Sequence, residues 1–265
     1  MISGHESAKL KLIRAKEHLS VLEYRIGAYA RASSHLLIAG PDGKHTVRIG
    51  DQPPADISIL VGEVIYQLRS ALDHLAFDLV KVNRRGITLP AGWEKRCEFP
   101  LLLNIPTKGN PPVAYKPLPR DYWDRSLPGI SDSAFAIIEG LQPYHRLGVT
   151  NALRLIADLS NIDKHRHLHV TVTKVAVNRH YELSDGERFD STRGGFEDGA
   201  QVELPDERIH DVVNVVIRLL PYVTFDEPAV GDGVATLEVE SVLNVCLQAI
   251  TAHVVPAFDR LINEP

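Results

Sequence analysis

The chain has 265 residues, 44% hydrophobic and 24% charged, with a net charge of −5. That balance fits a globular protein with a full core and excludes a generally basic nucleic-acid coat, though not a local basic groove. Cys97 and Cys246 make neither a metal-type pair nor a disulfide framework, which suits a reducing cytoplasm; the N-terminus lacks the apolar run of a signal peptide, and no stretch reaches about 18 apolar residues, so no membrane span is expected.

In chain order, residues 6–31 read as a long amphipathic helix, with Leu10, Ile13, Leu19, Leu22 and Ile26 at helical spacing. Two short apolar runs, 35–39 and 45–49, flank Pro41-Asp42-Gly43 and predict a hairpin. Residues 55–83 carry the clearest stripe, from Ile57 through Val64 and Leu72 to Leu79, and predict a second long helix. Residues 84–128 are rich in proline and lack periodicity. They read as an irregular excursion that packs Trp93 and the "EFPLLL" run (98–103) against the helices.

A short helix over 131–144, capped by Ser131 or Asp132 and stopped by Pro143, is followed by another from Thr150 to Arg166. From 167 the pattern becomes β-branched and alternating. Strands are predicted at 167–177, 181–183, 201–204, 212–219 and 222–225, with an acidic, solvated edge over 182–211. Residues 237–263 close the chain as a helix kinked at Pro256. The expected fold is α+β in a single domain, 1–265. An antiparallel helical bundle (6–31, 55–83, 131–166, 237–263) carries an inserted antiparallel β-sheet (167–225) and one N-terminal β-hairpin.

Two polar clusters stand out. In "LRSALDHLAFDLV" (68–80), Arg69 and His74 edge the apolar stripe from opposite sides, about 140° apart at 100° per residue. An ordinary explanation exists for both. Arg69 and Asp73 are four residues apart and can form a surface pair worth about 0.3–0.5 kcal/mol, while His74 fits a boundary histidine over Ser70. In "LSNIDKHRHLHV" (159–170), Asn161, Asp163, Lys164, His165, Arg166, His167 and His169 crowd a helix exit, where cations also complement the helix dipole. Asp158, Asn161 and His165 share one side if the helix persists; alternating histidines in an extended chain would offer imidazoles to a metal. If the helices bring both clusters together, Asp73, His74, Asn161, Asp163, His165 and Arg166 make a pocket for a phosphate or nucleotide, with Arg69 and Arg166 as charge-assisted donors.

The spacing R-x-x-x-x-H from Arg69 to His74, near the end of a long bundle helix, resembles the motif of the HEPN family (higher eukaryotes and prokaryotes nucleotide-binding domains). The family commonly has Asn, Asp or His directly after the arginine, where this chain has Ser70. The resemblance implies a helical bundle acting as a metal-independent endoribonuclease, often a toxin or defence component. On that reading Arg69, Asp73 and His74 are catalytic: His74 is the acid–base and Arg69 the cation beside the phosphate, while the RNA 2′-OH is the nucleophile. Asn161, Asp163, Lys164, His165 and Arg166 would hold the substrate. RNA is the expected partner, no cofactor or metal is implied, and the separation of Arg69 from His74 implies a homodimer that completes the site. "LRSALDHLA" followed by "NIDKHR" also resembles uncharacterised bacterial proteins, without naming an activity. Two alternatives stay open: a non-enzymatic ligand-binding or interaction protein, and a metal-dependent hydrolase of bundle type. The chain has no GxxxxGK phosphate loop, GxGxxG, HExxH or GxSxG, which argues against P-loop, Rossmann, zincin and serine-hydrolase chemistry.

Overall fold

The structure, a computed structural model, describes residues 3–40, 44–83, 88–102, 123–145, 148–165, 168–203, 212–226 and 238–263. The proposed 41–43 turn, Leu204, Arg166, His167 and most of the middle of the excursion lie outside these residues. The fold is α+β, as expected. Helix α1 (Gly4–Ala32) begins at Ser3, whose hydroxyl accepts the Glu6 N–H at 3.0 Å. That satisfies one of the amides a helix start leaves unpaired. Strands β1 (Leu36–Ala39) and β2 (Lys44–Arg48) form the expected hairpin.

Helix α2 (Ala55–Asn83) follows and is the centre of the molecule. Leu68, Ala71, Leu72, Leu75, Ala76, Leu79 and Val80 are all fully buried, so this segment is covered on most of its circumference. Each of those leucines contributes about 1.5–3 kcal/mol relative to exposure. Helix α1 packs antiparallel along it. The short α3 (Asp132–Gly140), capped by Ser131, and α4 (Val149–His165) come next. After the strands, the chain returns as α5 (Val239–Ala249), a π-helical turn (Ile250–Val254) and α6 (Val255–Asn263). The expected disturbance at Pro256 takes the form of this π turn. Proline lacks an N–H and crowds the carbonyl four residues back, and widening the preceding turn accommodates both. Val239–Leu261, within the helix expected over 237–263, is the one described helical run long and apolar enough to cross a membrane, and half of its apolar window is buried within the fold.

The strands depart from expectation. One sheet over 167–225 is predicted; among the described residues there are two three-stranded antiparallel sheets. Strand β3 (Val170–Leu183) joins two predicted strands into one, and β6 (Val212–Phe225) joins two more. Between them lies β4 (Arg188–Glu197), which has no apolar alternation because it is mostly exposed on both faces. Its place comes from backbone pairing to β3 and from the cross-strand stack of Tyr181 on Phe189, 4.7 Å between ring centres. The second sheet orders as β4-β3-β6. Strand β5 (Gln201–Glu203) leaves it and pairs with β2 instead, so the N-terminal hairpin becomes a sheet of order β1-β2-β5. Val47, Val202, Val175, Val223 and Phe225 tie both sheets into the same core as the helices.

Candidate functional site

Helix α2 sends Arg69 and Asp73 to one edge and His74 to the other, as the 140° spacing requires. On the Arg69 side, Arg69 Nη2 lies 3.1 Å from Asp73 Oδ1 and 3.7 Å from Glu98 Oε2. Asp73 Oδ1 also accepts the Phe99 N–H at 2.9 Å. Burial pushes the Asp73 carboxyl above its ordinary range, although Arg69, the Phe99 amide and Lys164 all pull it down.

The segment 97–102 is thereby fixed to α2 at one end. Gln142 fixes the other: fully buried, it donates to the carbonyls of Pro100 (3.0 Å) and Ile138 (2.8 Å) and accepts the Leu102 N–H (3.1 Å). Buried Phe99 anchors the middle against Phe258, and Trp93 stacks on Phe77 at 5.1 Å. The described part of the excursion therefore packs on the helices as predicted.

This ledge, α2 and α4 enclose an open hollow of about 960 Å³. Arg69 and Asp73 enter it from α2. Asn161 and Lys164 enter from α4, on the same face as Ala157 and Ser160, at helical spacing. Lys95, Arg96 and Glu98 line it from the ledge side, and Trp123 and Arg125 complete the lining. Two of the clusters marked in the sequence thus meet in part. Among the described residues, five cations face two carboxylates in a hollow of a protein whose net charge is −5.

The other marked residues lie elsewhere. His74 faces α1: its Nδ1 is 2.8 Å from Ser7 Oγ, and burial, with Lys11 nearby, lowers its pKa. It does not line the hollow that holds Arg69. Asp163 packs over Gly62 on the opposite side of α4 and lines a second hollow of about 870 Å³ with Arg14, His18, Glu63, Tyr66 and His169. His18 Nδ1 and Glu63 Oε2 are 3.0 Å apart there. His165 is exposed at the end of α4 and lines neither hollow. Asp158 pairs with Arg154 at 3.6 Å rather than with Asn161 or His165, and burial raises its carboxyl pKa. Among the described residues, no three His, Cys, Asp or Glu side chains are grouped to hold a metal ion.

Lys95, Arg96, Glu98, Trp123, Arg125 and Gln142 were not singled out from the sequence. The only local signal was the cationic "EKR" after Trp93, set in a stretch without periodicity. Comparison of the chain with family models, curated proteins and solved structures finds no match.

Proposed function

We propose that the protein binds the phosphodiester backbone of single-stranded RNA in the hollow between α2, the 97–102 ledge and α4. The observation that carries this reading is the convergence of Arg69, Lys95, Arg96, Arg125 and Lys164 on one hollow of an acidic protein. Arg69 is engaged by Asp73 and Glu98 and serves as the fixed donor. Lys95, Arg96, Arg125 and Lys164 are exposed and provide the charge that meets phosphates. Asn161 adds a neutral donor and acceptor beside them. Two cysteines without a disulfide, one of them buried, agree with a cytoplasmic setting.

Strand cleavage by Arg69 and His74 is the step the HEPN resemblance adds. In one chain these two face different neighbours, so binding is the reading the geometry supports best. It is tested with a fluorescein-labelled RNA oligomer of about 20 nucleotides, followed by anisotropy across about 50–200 mM salt. Four phosphate contacts give a slope of log K against log salt of about −3, and Arg96→Glu, Arg125→Glu and Lys164→Glu each weaken binding about tenfold and flatten the slope. No binding at low salt, or binding indifferent to all three variants, overturns the reading. The same RNA run on a denaturing gel in EDTA tests scission; scission that survives Arg69→Ala and His74→Ala removes those residues from any cleavage role.

A further inference from the structure

The second hollow, of about 870 Å³, is within the size range of small-molecule sites. Helix α1 contributes Arg14 and His18 to it, α4 contributes Asp163, and α2 supplies the floor. At about 100° per residue, Ala55, Ser58 and Gly62 fall within about 60° of one another, and their small side chains keep that strip of α2 low. Ile59 and Tyr66 stand beside the strip, 61% and 60% exposed. Gly62 answers a close approach: a Cβ there would sit 2.7 Å from Asp163 Oδ1 and 3.3 Å from Oδ2. Without a side chain at 62, the Asp163 carboxylate comes down onto the surface of α2.

The charges of the lining select the class of ligand. Arg14 pairs with Glu17 at 2.9 Å, and His18 Nδ1 lies 3.0 Å from Glu63 Oε2. Lys11 lies over the Tyr66 ring, outside the lining, and Lys164, next in the chain after Asp163, faces the first hollow. Among the described residues, the Asp163 carboxylate has neither a hydrogen bond nor an ion pair. Whichever form His18 takes, that carboxylate is left without a counter-charge. Gln67, also in the lining, has its Oε1 buried with no donor, a state that costs stability until an N–H is supplied. Two carboxylates in the lining disfavour a phosphate, and no described group of three ligands fits a metal ion. A planar amidinium or guanidinium meets these demands. It forks two N–H groups onto one carboxylate, and its weakly hydrated plane packs well along an aromatic ring. We infer that this hollow binds a small organic cation, an amidine or guanidine with an apolar body, whose charge sits on Asp163 and whose body lies along Ile59 and Tyr66. This inference does not depend on the RNA reading.

The test uses three probes that share one ring and differ in charge: benzamidine (cationic), benzamide (neutral) and benzoate (anionic). Each is titrated against the full chain and followed by saturation-transfer NMR. Benzamidine binds saturably with a Kd of about 0.1–1 mM, and benzamide and benzoate bind at least about tenfold more weakly. Asp163→Asn keeps the shape, removes the charge and weakens benzamidine about tenfold. Gly62→Ala keeps the charge but lifts the carboxylate off α2, and weakens benzamidine about threefold or more. Arg125→Glu, in the first hollow, leaves benzamidine binding unchanged while weakening RNA, which separates the two sites. Circular dichroism reports unchanged helix content in each variant. The probe series is read on the wild type, so it decides the matter even where a variant fails to fold. No saturable benzamidine binding below about 10 mM, benzamide or benzoate binding as tightly as benzamidine, or a folded Asp163→Asn that binds like the wild type overturns the inference.

Discussion

Replacing Asp73 with alanine tests whether one carboxylate holds the binding ledge to the central helix. Asp73 Oδ1 accepts the Phe99 N–H at 2.9 Å and faces Arg69 at 3.1 Å, and Phe99 is fully buried. Alanine leaves that amide without its acceptor and leaves Arg69 with only the longer contact to Glu98. A hydrogen bond to a charged acceptor is worth about 1.5–3 kcal/mol, and an orphaned buried donor costs about 1–3. These overlap rather than add, so Asp73→Ala costs about 2–4 kcal/mol. Asparagine separates the bond from the charge. It keeps an oxygen for the Phe99 N–H and gives up the ion pair. Burial has already raised the Asp73 pKa despite its cationic neighbours, so the charge itself is not a net gain to the fold. Asp73→Asn therefore costs about 1 kcal/mol or less.

The raised pKa also sets a sign. The contribution of Asp73 is fullest below its unfolded value of 3.8 and is lost as pH rises through the higher folded value. The balance between wild type and Asp73→Asn accordingly shifts toward the variant as pH increases over that interval. Urea unfolding measures the difference: with a slope of about 3 kcal/mol/M, alanine moves the midpoint by about 1 M and asparagine by a third of that or less. Hydrogen exchange at the Phe99 amide should lose protection in the alanine variant and keep it in the asparagine variant. Equal costs for the two substitutions, or an alanine cost below about 0.5 kcal/mol, would refute the claim that this hydrogen bond fastens the ledge.

Three further outcomes follow from the same geometry. Gln142→Leu removes three hydrogen bonds, two to the other end of the ledge and one to Ile138; it should cost about 3 kcal/mol, lower the melting temperature by roughly 6–10 °C and weaken RNA binding. At Gly4 a Cβ would sit 2.6 Å from the His74 carbonyl oxygen and 2.9 Å from the Asp78 carboxyl, so Gly4→Ala costs about 1–3 kcal/mol by overpacking, whereas Gly27→Ala in the same helix, with 3.4 Å to a flexible Arg31 terminus, is neutral or gains up to about 1 kcal/mol. Chemical denaturation of the pair checks both signs. Burial, with Glu23 and Glu238 nearby, raises the Glu240 pKa to about 7 from 4.5. Its contribution is full below pH 4.5 and lost as pH rises through 7, so Glu240→Gln should stabilise the protein at pH 8 by about 1 kcal/mol after allowance for solvent screening, with no gain at pH 4; a pH-independent difference would contradict this assignment.

Local periodicity made the helices legible. The stripe over 55–83 marks α2 to the residue, because burial of one face repeats every three or four positions whatever lies opposite. The same rotation placed Arg69 and His74 on different sides before any fold was known. Strand β4 carries no such signal: its order comes from backbone bonds to β3, and a backbone bond has no sequence signature. The junction of β5 with β2 is likewise a pairing across about 150 residues. The same limit applies to the hollow. Arg69, Asp73, Asn161 and Lys164 could be marked singly, but their shared space depends on how α4 packs on α2. Lys95, Arg96 and Arg125 come from a stretch whose conformation is imposed by Asp73, Gln142 and buried aromatics. The sequence by itself determined where the helices run and which face of α2 turns inward, whereas on α1 it grouped Leu10 and Ile13 with the buried Leu19, Leu22 and Ile26, and these two are 51% and 56% exposed. Only the tertiary structure decided which outward-facing charges meet, because that depends on contacts between segments far apart in the chain.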